Sequence, residues 1–182
     1  MSKPREPQPV RLIVGQIYQD KFLAESCWQE LEDRFGPLDF LSPVRPFHFT
    51  AYYEKEMGAP LFRRWGTFGR LLPADRLVAV KLQTNALEER RQVAGKRRVN
   101  LDPGLLSAER LVLATGKNYA HRIYLGEGIF GDLTLVYARD SFQPLPWTYP
   151  DYREPEALTL FNILRQRYLL QLRRERETEK MP

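Results

Sequence analysis

Arg11 to Tyr18 (RLIVGQIY) is an apolar run with three β-branched residues and a single charge, and it reads as a buried strand. Asp20 follows in the position of a helix cap, and Leu23, Cys27, Leu31 and Phe35 then recur every four residues. Glu25, Glu30, Glu32 and Asp33 fall between them, which predicts an amphipathic helix over about 20–35. Gly36-Pro37 ends it, since glycine suits a left-handed cap and proline cannot continue a helix. Leu38 to Val44 is a second strand, an edge strand because Pro43 has no N–H to give a ladder. A strand, a helix and a strand in this order need a sheet to pack on. That need constrains the fold more than anything downstream.

The remaining segments fill out the sheet. Phe47 to Tyr53 (FHFTAYY) alternates, with Phe47, Phe49, Ala51 and Tyr53 on one side and His48, Thr50 and Tyr52 on the other, which predicts a strand. A loop is expected over Glu54–Pro60 and a strand over Leu61–Leu72. Pro73 suits the first turn of a helix, and Leu77, Val80, Thr84 and Leu87 extend it to about Val93, closed by Gly95. Short strands around Val99 and at Leu111–Thr115 flank an expected turn at Asp102-Pro103-Gly104. His121–Leu125 and Ile129–Ala138 read as a hairpin, and the three prolines of 142–150 as extended chain. Pro155 to about Arg176 is the final helix, with Leu158, Phe161, Leu164 (or Arg165), Tyr168 and Leu172 inward. The order is that of a single α+β domain over 10–176: a mixed or mostly antiparallel sheet with about three helices, at 20–35, 74–93 and 155–176. Residues 1–9 and 177–182 are expected to be flexible tails, with no apolar anchor beyond Met1 and Met181.

The 182 residues are 43% hydrophobic and 28% charged, an ordinary globular composition. No apolar run approaches the roughly 18–20 residues of a membrane helix. The polar, proline-rich start has no secretory apolar region, and one cysteine makes no internal disulfide, so a cytoplasmic protein is expected. The net charge of +5 sits in the two ends of the chain. Within the body the charge is segregated: residues 63–98 hold ten basic against three acidic side chains, while 12–62 hold four against eight. The basic middle, not the global sign, is what a function has to explain.

Several motifs fail on their spacing. Gly126, Gly128 and Gly131 spell G-x-G-x-x-G, but a strand-like segment follows where a dinucleotide fold needs a helix, which favours a hairpin loop. The two Gly-Lys pairs, Gly95-Lys96 and Gly116-Lys117, lack both the first glycine and the Ser/Thr of a P-loop. His48 and Thr50 form half of the H-x-T pair of two-histidine phosphoesterases, and the other histidine, His121, is followed by Arg122-Ile123 instead. Two histidines and Cys27 are too few and too scattered for zinc, and no metal is expected.

The densest polar cluster is GKRRVNLDPG, with Lys96, Arg97, Arg98, Asn100 and Asp102. On a strand, Arg98 and Asn100 share one face and Arg97 takes the other. Trp147, Tyr149 and Tyr152 sit on a proline-stiffened segment that either packs on the core or stacks a base.

Six ordered stretches carry a family resemblance: LIVGQIY, FTAYYEKEMG (49–58), KLQTNALE (81–88), GKRRVNLDPG (95–104), HRIYLGEGI (121–129) and PWTYPDY (146–152). Together, over about Val10–Leu172, the chain resembles the bacterial family called domain of unknown function 4416. The resemblance implies no established activity. Some relatives carry the label "GTP-binding protein", and the missing P-loop and [NT]-K-x-D motif here argue against a classical GTPase. That family more often has Asp where His48 stands and often lacks the third glycine, so neither His48 nor Gly131 is a strong site candidate.

The polar residues of these stretches are the candidate site: Thr50, Tyr52, Lys81, Asn85, Lys96, Arg98, Asn100, Lys117, His121 and Arg122, with Asp102 and His121 as the weak acid–base candidates. Lys81 and Asn85 stand one helical turn apart. Lys81, Arg98, Asn100, His121 and Arg122 are expected to line one cleft for an anionic group. Three classes stay open: a binding domain for a phosphorylated or other anionic small molecule, a nucleotide included; an enzyme on a phosphorylated substrate; and an RNA- or protein-interaction module using the basic 63–98 segment. Nucleic acid is the less favoured partner, and no cofactor is indicated.

Overall fold

The central strand explains the layers. In the computed structural model, which describes residues 1–178, β1 (Val10–Tyr18) is buried along its whole length. It runs antiparallel between β4 (Leu61–Leu72) and β5 (Val99–Leu106). Its even residues Leu12, Val14 and Tyr18 pack against α1 (Lys21–Phe35) and α3 (Leu77–Arg90). Ile13 points the other way, into a core made with α5 (Pro155–Thr178). A strand buried on both faces has no polar side to show, which is why its sequence is a run rather than an alternation.

The full order across the sheet is β2 (Leu38–Leu41), β4, β1, β5, β6 (Arg110–Thr115), β8 (Ile129–Ala138), β7 (Arg122–Gly126). β3 (Arg45–Phe47) continues the outer edge along β4, and β9 (Ser141–Pro144) does the same along β8. All pairings are antiparallel, so of the two sheet types expected it is the antiparallel one that forms. With three long helices the fold is α+β, and no helix among the described residues is long and apolar enough to cross a membrane.

Local chemistry sets the element ends. Asp20 Oδ1 accepts from the N–H groups of Phe22 and Leu23, and Gly36, at φ +91°, closes α1 on the Glu32 carbonyl. Ala24 and Trp28 join the expected four-residue stripe of α1 in the core. Gly66 makes room for Trp28, since a Cβ there would lie 2.6 Å from the indole. Cys27 is buried, and burial pushes its thiol up to about 11, so it is an inert core residue. In α5, Phe161, Leu164, Tyr168 and Leu172 are inward as their spacing predicts.

Three expectations are corrected. Phe47–Tyr53 is not a strand: pairing stops at Phe47, Thr50 Oγ1 caps the N–H of Tyr52 in a turn, and a short helix, α2 (Glu54–Met57), follows where a loop was expected. Helix α3 ends at Arg90 rather than near Val93, because Val93–Lys96 closes a hairpin turn with Ala94 and Gly95 at positive φ. Asp102-Pro103-Gly104 is no turn, since β5 runs straight through it, held to β1 on one side. The 121–138 hairpin forms as expected, on a tight turn with Glu127 and Gly128 at φ +49° and +77°. The three glycines of G-x-G-x-x-G belong to this hairpin. Residues 1–8 are exposed, the Tyr168 hydroxyl donates to the Pro9 carbonyl, and Arg176 donates to Gln8. Residues 177 and 178 belong to α5, and the rest of the expected C-terminal tail, 179–182, lies outside the described residues.

The basic middle of the chain is matched across the fold by the acidic segments around it. Arg64 meets Glu25, Arg90 and Arg91 meet Glu30, Arg97 meets Glu56, Arg98 meets Asp20, and Arg63 meets Asp102 and Asp151.

Gly104 is where the backbone of β5 lies close against β6. A Cβ on it would meet Leu113 Cδ2 at 2.6 Å and the Val112 carbonyl oxygen at 2.8 Å. Gly104→Ala should therefore cost about 1–3 kcal/mol by overpacking. Gly116→Ala, where nothing lies within 4 Å, should stay within about 0.5 kcal/mol of wild type. Urea unfolding of both variants checks the contrast.

Candidate functional site

A proline inside a strand opens the site. β5 pairs with β1 throughout but with β6 only over Gly104–Leu106. Pro103 has no N–H, so the ladder toward β6 cannot continue past it. Ala114 and Thr115 pair with β8 alone, and the two strands splay. The gap is one wall of a cavity of about 570 Å³, with Asn100 and Asp102 on one strand and Leu113, Ala114 and Thr115 on the other.

Splaying strips the Leu101 peptide of a strand partner, and α3 supplies side chains instead. Glu88 Oε1 accepts from the Leu101 N–H at 2.6 Å, and Lys81 Nζ donates to the Leu101 carbonyl at 3.0 Å. Lys81 and Glu88 are two helical turns apart with Asn85 between them, so one face of α3 brings all three to the cavity. Burial pushes the Glu88 carboxyl up to about 7, although Lys81 and the Leu101 N–H act to lower it.

Beneath the cavity lies Arg63 of β4, 2% exposed. Its guanidinium is 3.2 Å from Asp102 and 3.1 Å from Asp151, and it packs over the rings of Trp65 and Tyr152 at 5.1 and 5.0 Å. Gly15 clears its path, since a Cβ there would meet the Arg63 guanidinium and the Tyr152 hydroxyl at about 3 Å. Burial would lower the Arg63 pKa, but Tyr152, Asp151 and Asp102 around it raise it, so the group is a fixed cation. Burial likewise raises the carboxyl of Asp151 against the pull of Arg63. From Arg63 a polar chain runs to the rim: Asp102 accepts from Asn100 at 2.8 Å, Asn100 from Arg97 at 3.1 Å, and Glu56 of α2 from Arg97 at 2.5 Å.

The other end of the cavity is built on Asp132 of β8. It accepts from Arg122 Nε at 2.9 Å, and Arg122 also donates to the Lys117 carbonyl and the Tyr149 hydroxyl. Lys117 Nζ sits 4.7 Å over the Tyr52 ring and 3.4 Å from its hydroxyl. α4 (Pro150–Arg153), opened by Pro150 at its first turn, carries Asp151 and Tyr152 to the floor.

Of the residues expected in one cleft, Thr50, Tyr52, Lys81, Asn85, Asn100, Lys117 and Arg122 line this cavity, as does Asp102. Lys96, Arg98 and His121 do not. Arg98 turns to Asp20 at 3.5 Å while Arg97 takes the cavity side, the reverse of the expected faces, because the strand begins only at Val99 and its alternation does not reach back to them. Lys96 stands exposed in the turn after α3. His121 Nε2 is 3.3 Å from Asp132, and its ring stacks on Trp147 at 4.8 Å. Its carboxylate is therefore Asp132 and not Asp102, and the weak acid–base pair does not form. His48 is exposed, stacked on Phe49, and lines a smaller cavity apart from Thr50.

Sequence reasoning missed Arg63, Glu88, Arg97, Asp132 and Asp151. Arg63 had a signal: it alternates with Leu61 and Trp65 on the apolar side of its strand, where a charge needs a buried partner. Asp132 had one too, since the expected 121–138 hairpin sets it across from Arg122, whereas Asp151 had none, because its partner Arg63 stands on a strand that only the fold brings near.

Residues 8–168 match the family model described as Domain of unknown function (DUF4416). No curated protein and no solved structure matches the chain.

The Arg63 cluster yields a stability test. Arg63→Ala leaves Asp151 buried without its cation and should cost about 3–5 kcal/mol. Arg63→Met with Asp151→Asn removes both charges at similar volume and should cost clearly less than the sum of the two single changes. Denaturation of Arg63→Ala, of the single variants Arg63→Met and Asp151→Asn and of the double variant measures the cost and the coupling.

Proposed function

Because the chain belongs to the family described as Domain of unknown function (DUF4416), we propose a function from the cavity alone: it binds a small molecule bearing a phosphate or another anionic group, a nucleotide among the candidates. The observation that carries this reading is the pair Lys81 and Lys117. Both line the cavity, and among the described residues neither has a carboxylate within the 4.0 Å of an ion pair, whereas Arg63, Arg97 and Arg122 each do. Two ammonium groups with unspent donors are a place for an anion. Five basic and four acidic side chains line the walls, and one of the acids, Glu88, is largely neutral below pH 7. A volume of about 570 Å³ falls in the range of small-molecule sites.

The other readings have less behind them. Neither histidine lines the cavity, so a phosphoesterase pair is without support. An RNA surface on residues 63–98 is weakened because most of its arginines already face carboxylates.

Calorimetric titration with inorganic phosphate, pyrophosphate and a sugar phosphate tests the proposal. Lys117→Ala should weaken binding by about 1.5–3 kcal/mol, the worth of a charge-assisted hydrogen bond, at an unchanged melting temperature. Arg98→Ala, outside the cavity, should leave it unchanged. Failure of all three anions to bind overturns the reading. Affinity for a short RNA that falls steeply with salt would point to the interaction module instead.

A further inference from the structure

Glu88 is the one acidic group of the cavity wall that has been given neither an arginine nor a lysine. Its side chain is 7% exposed, and among the described residues no basic group stands within 4.0 Å of its carboxylate. Its one hydrogen bond is from the Leu101 N–H. Lys81, two turns away on the same helix face, spends a donor on the Leu101 carbonyl. The ammonium and the carboxyl are thus tethered to the two polar groups of a single residue, side by side on the same wall. The charges around Glu88 are Lys81 from its own helix and Arg97 and Asp102 from the chain leading into β5 and from β5 itself; α1 presents only the neutral thiol of Cys27. Lys81 and Arg97 favour the ionised form, and Asp102 opposes it.

An anion that settles on Lys81 brings a second negative charge against this carboxyl and draws on the Lys81 field that favours its ionisation. In a buried wall that repulsion is poorly screened. Protonating Glu88 removes the repulsion, and it leaves the carbonyl oxygen of the acid free to keep the Leu101 N–H. We propose that the cavity takes up its anion together with one proton, and that Glu88 is the proton's site. The proposal rests on the anion reading above and adds its regulation. The balance is simple: a proton moves from solvent to Glu88, no other bond is made or broken, and the net charge entering the wall falls by one. Burial already holds the free carboxyl at about 7, so the coupled proton comes within the neutral range.

Linkage fixes the sign. If the bound state holds more protons than the free state, affinity falls as pH rises, by at most tenfold per pH unit for one proton. The effect begins near the free carboxyl's value, about pH 7, and extends upward until the complexed carboxyl also ionises.

Calorimetry with inorganic phosphate at pH 7.5 and 8.0, in two buffers of different ionisation enthalpy, counts the protons taken up. Glu88→Gln keeps an acceptor for Leu101 and cancels the phosphate's own protonation from the comparison. The wild type should take up about half to one proton more than Glu88→Gln, and the variant should lose the steeper part of the pH dependence. An infrared difference spectrum of the wild type, with and without phosphate, should show a new neutral carboxylic acid band, a readout that needs no variant to fold. Equal proton counts with no such band would overturn the coupling while leaving the anion site standing. If phosphate binds neither protein, the anion reading fails first and the coupling falls with it.

Discussion

A buried strand edge must give its N–H and C=O groups to something, and at Leu101 that demand is met by two charged side chains. A second strand would have closed the sheet there and left no room. Pro103 forbids it, and α3 answers with Lys81 and Glu88, whose charged ends then stand in a wall that would otherwise be plain backbone. The cost of an unsatisfied peptide pair, about 1–3 kcal/mol for each group, keeps both side chains in place. The rest of the site is arranged around this break. The polar chain from Arg63 through Asp102 and Asn100 to Arg97 and Glu56 runs along the strand that lost its neighbour.

The same principle accounts for Arg63. A guanidinium placed on the apolar side of a strand is tolerated because two carboxylates and two rings surround it. It ties β4, β5 and α4 into one unit beneath the cavity floor. Such a cluster is a poor source of net stability, since desolvation offsets most of the attraction. Its contribution is to fix where Asp102 and Asp151 stand.

The layers of the fold were legible because they rest on local patterns. The buried run of β1, the Asp20 cap and four-residue stripe of α1, and the inward residues of α5 each follow from periodicity and capping. The FHFTAYY segment shows the limit: it alternates like a strand, but the backbone turns at Thr50 and only Phe47 reaches the ladder. Asp102-Pro103-Gly104 has the composition of a turn, yet β1 holds it straight, a case of long-range pairing overriding local preference. Half of the site was legible for a similar reason. Lys81 and Asn85 share a helix face by spacing alone, whereas Arg97 and Asp151 owe their places to Glu56 and Arg63, each on another element far along the chain. Spacing reports on one element; a cavity among several elements is a property of their assembly.

The sheet's outer borders have a consequence of their own. On one side β2 and β3 share the flank of β4, and on the other β7 and β9 share the flank of β8. Each border is thus a pair of short pieces, the longest five residues, with a gap in strand pairing between them. Prolines stand in two of those pieces, at Pro46 and Pro144. An intruding chain seeking to extend the sheet finds no long, straight template and loses its register at every break. The residues Ile123, Tyr124 and Leu125 are exposed on one such piece, and its brevity works against the pairing with other chains that so apolar a border would invite. Fragmented borders thus limit edge-to-edge pairing of a nine-stranded open sheet.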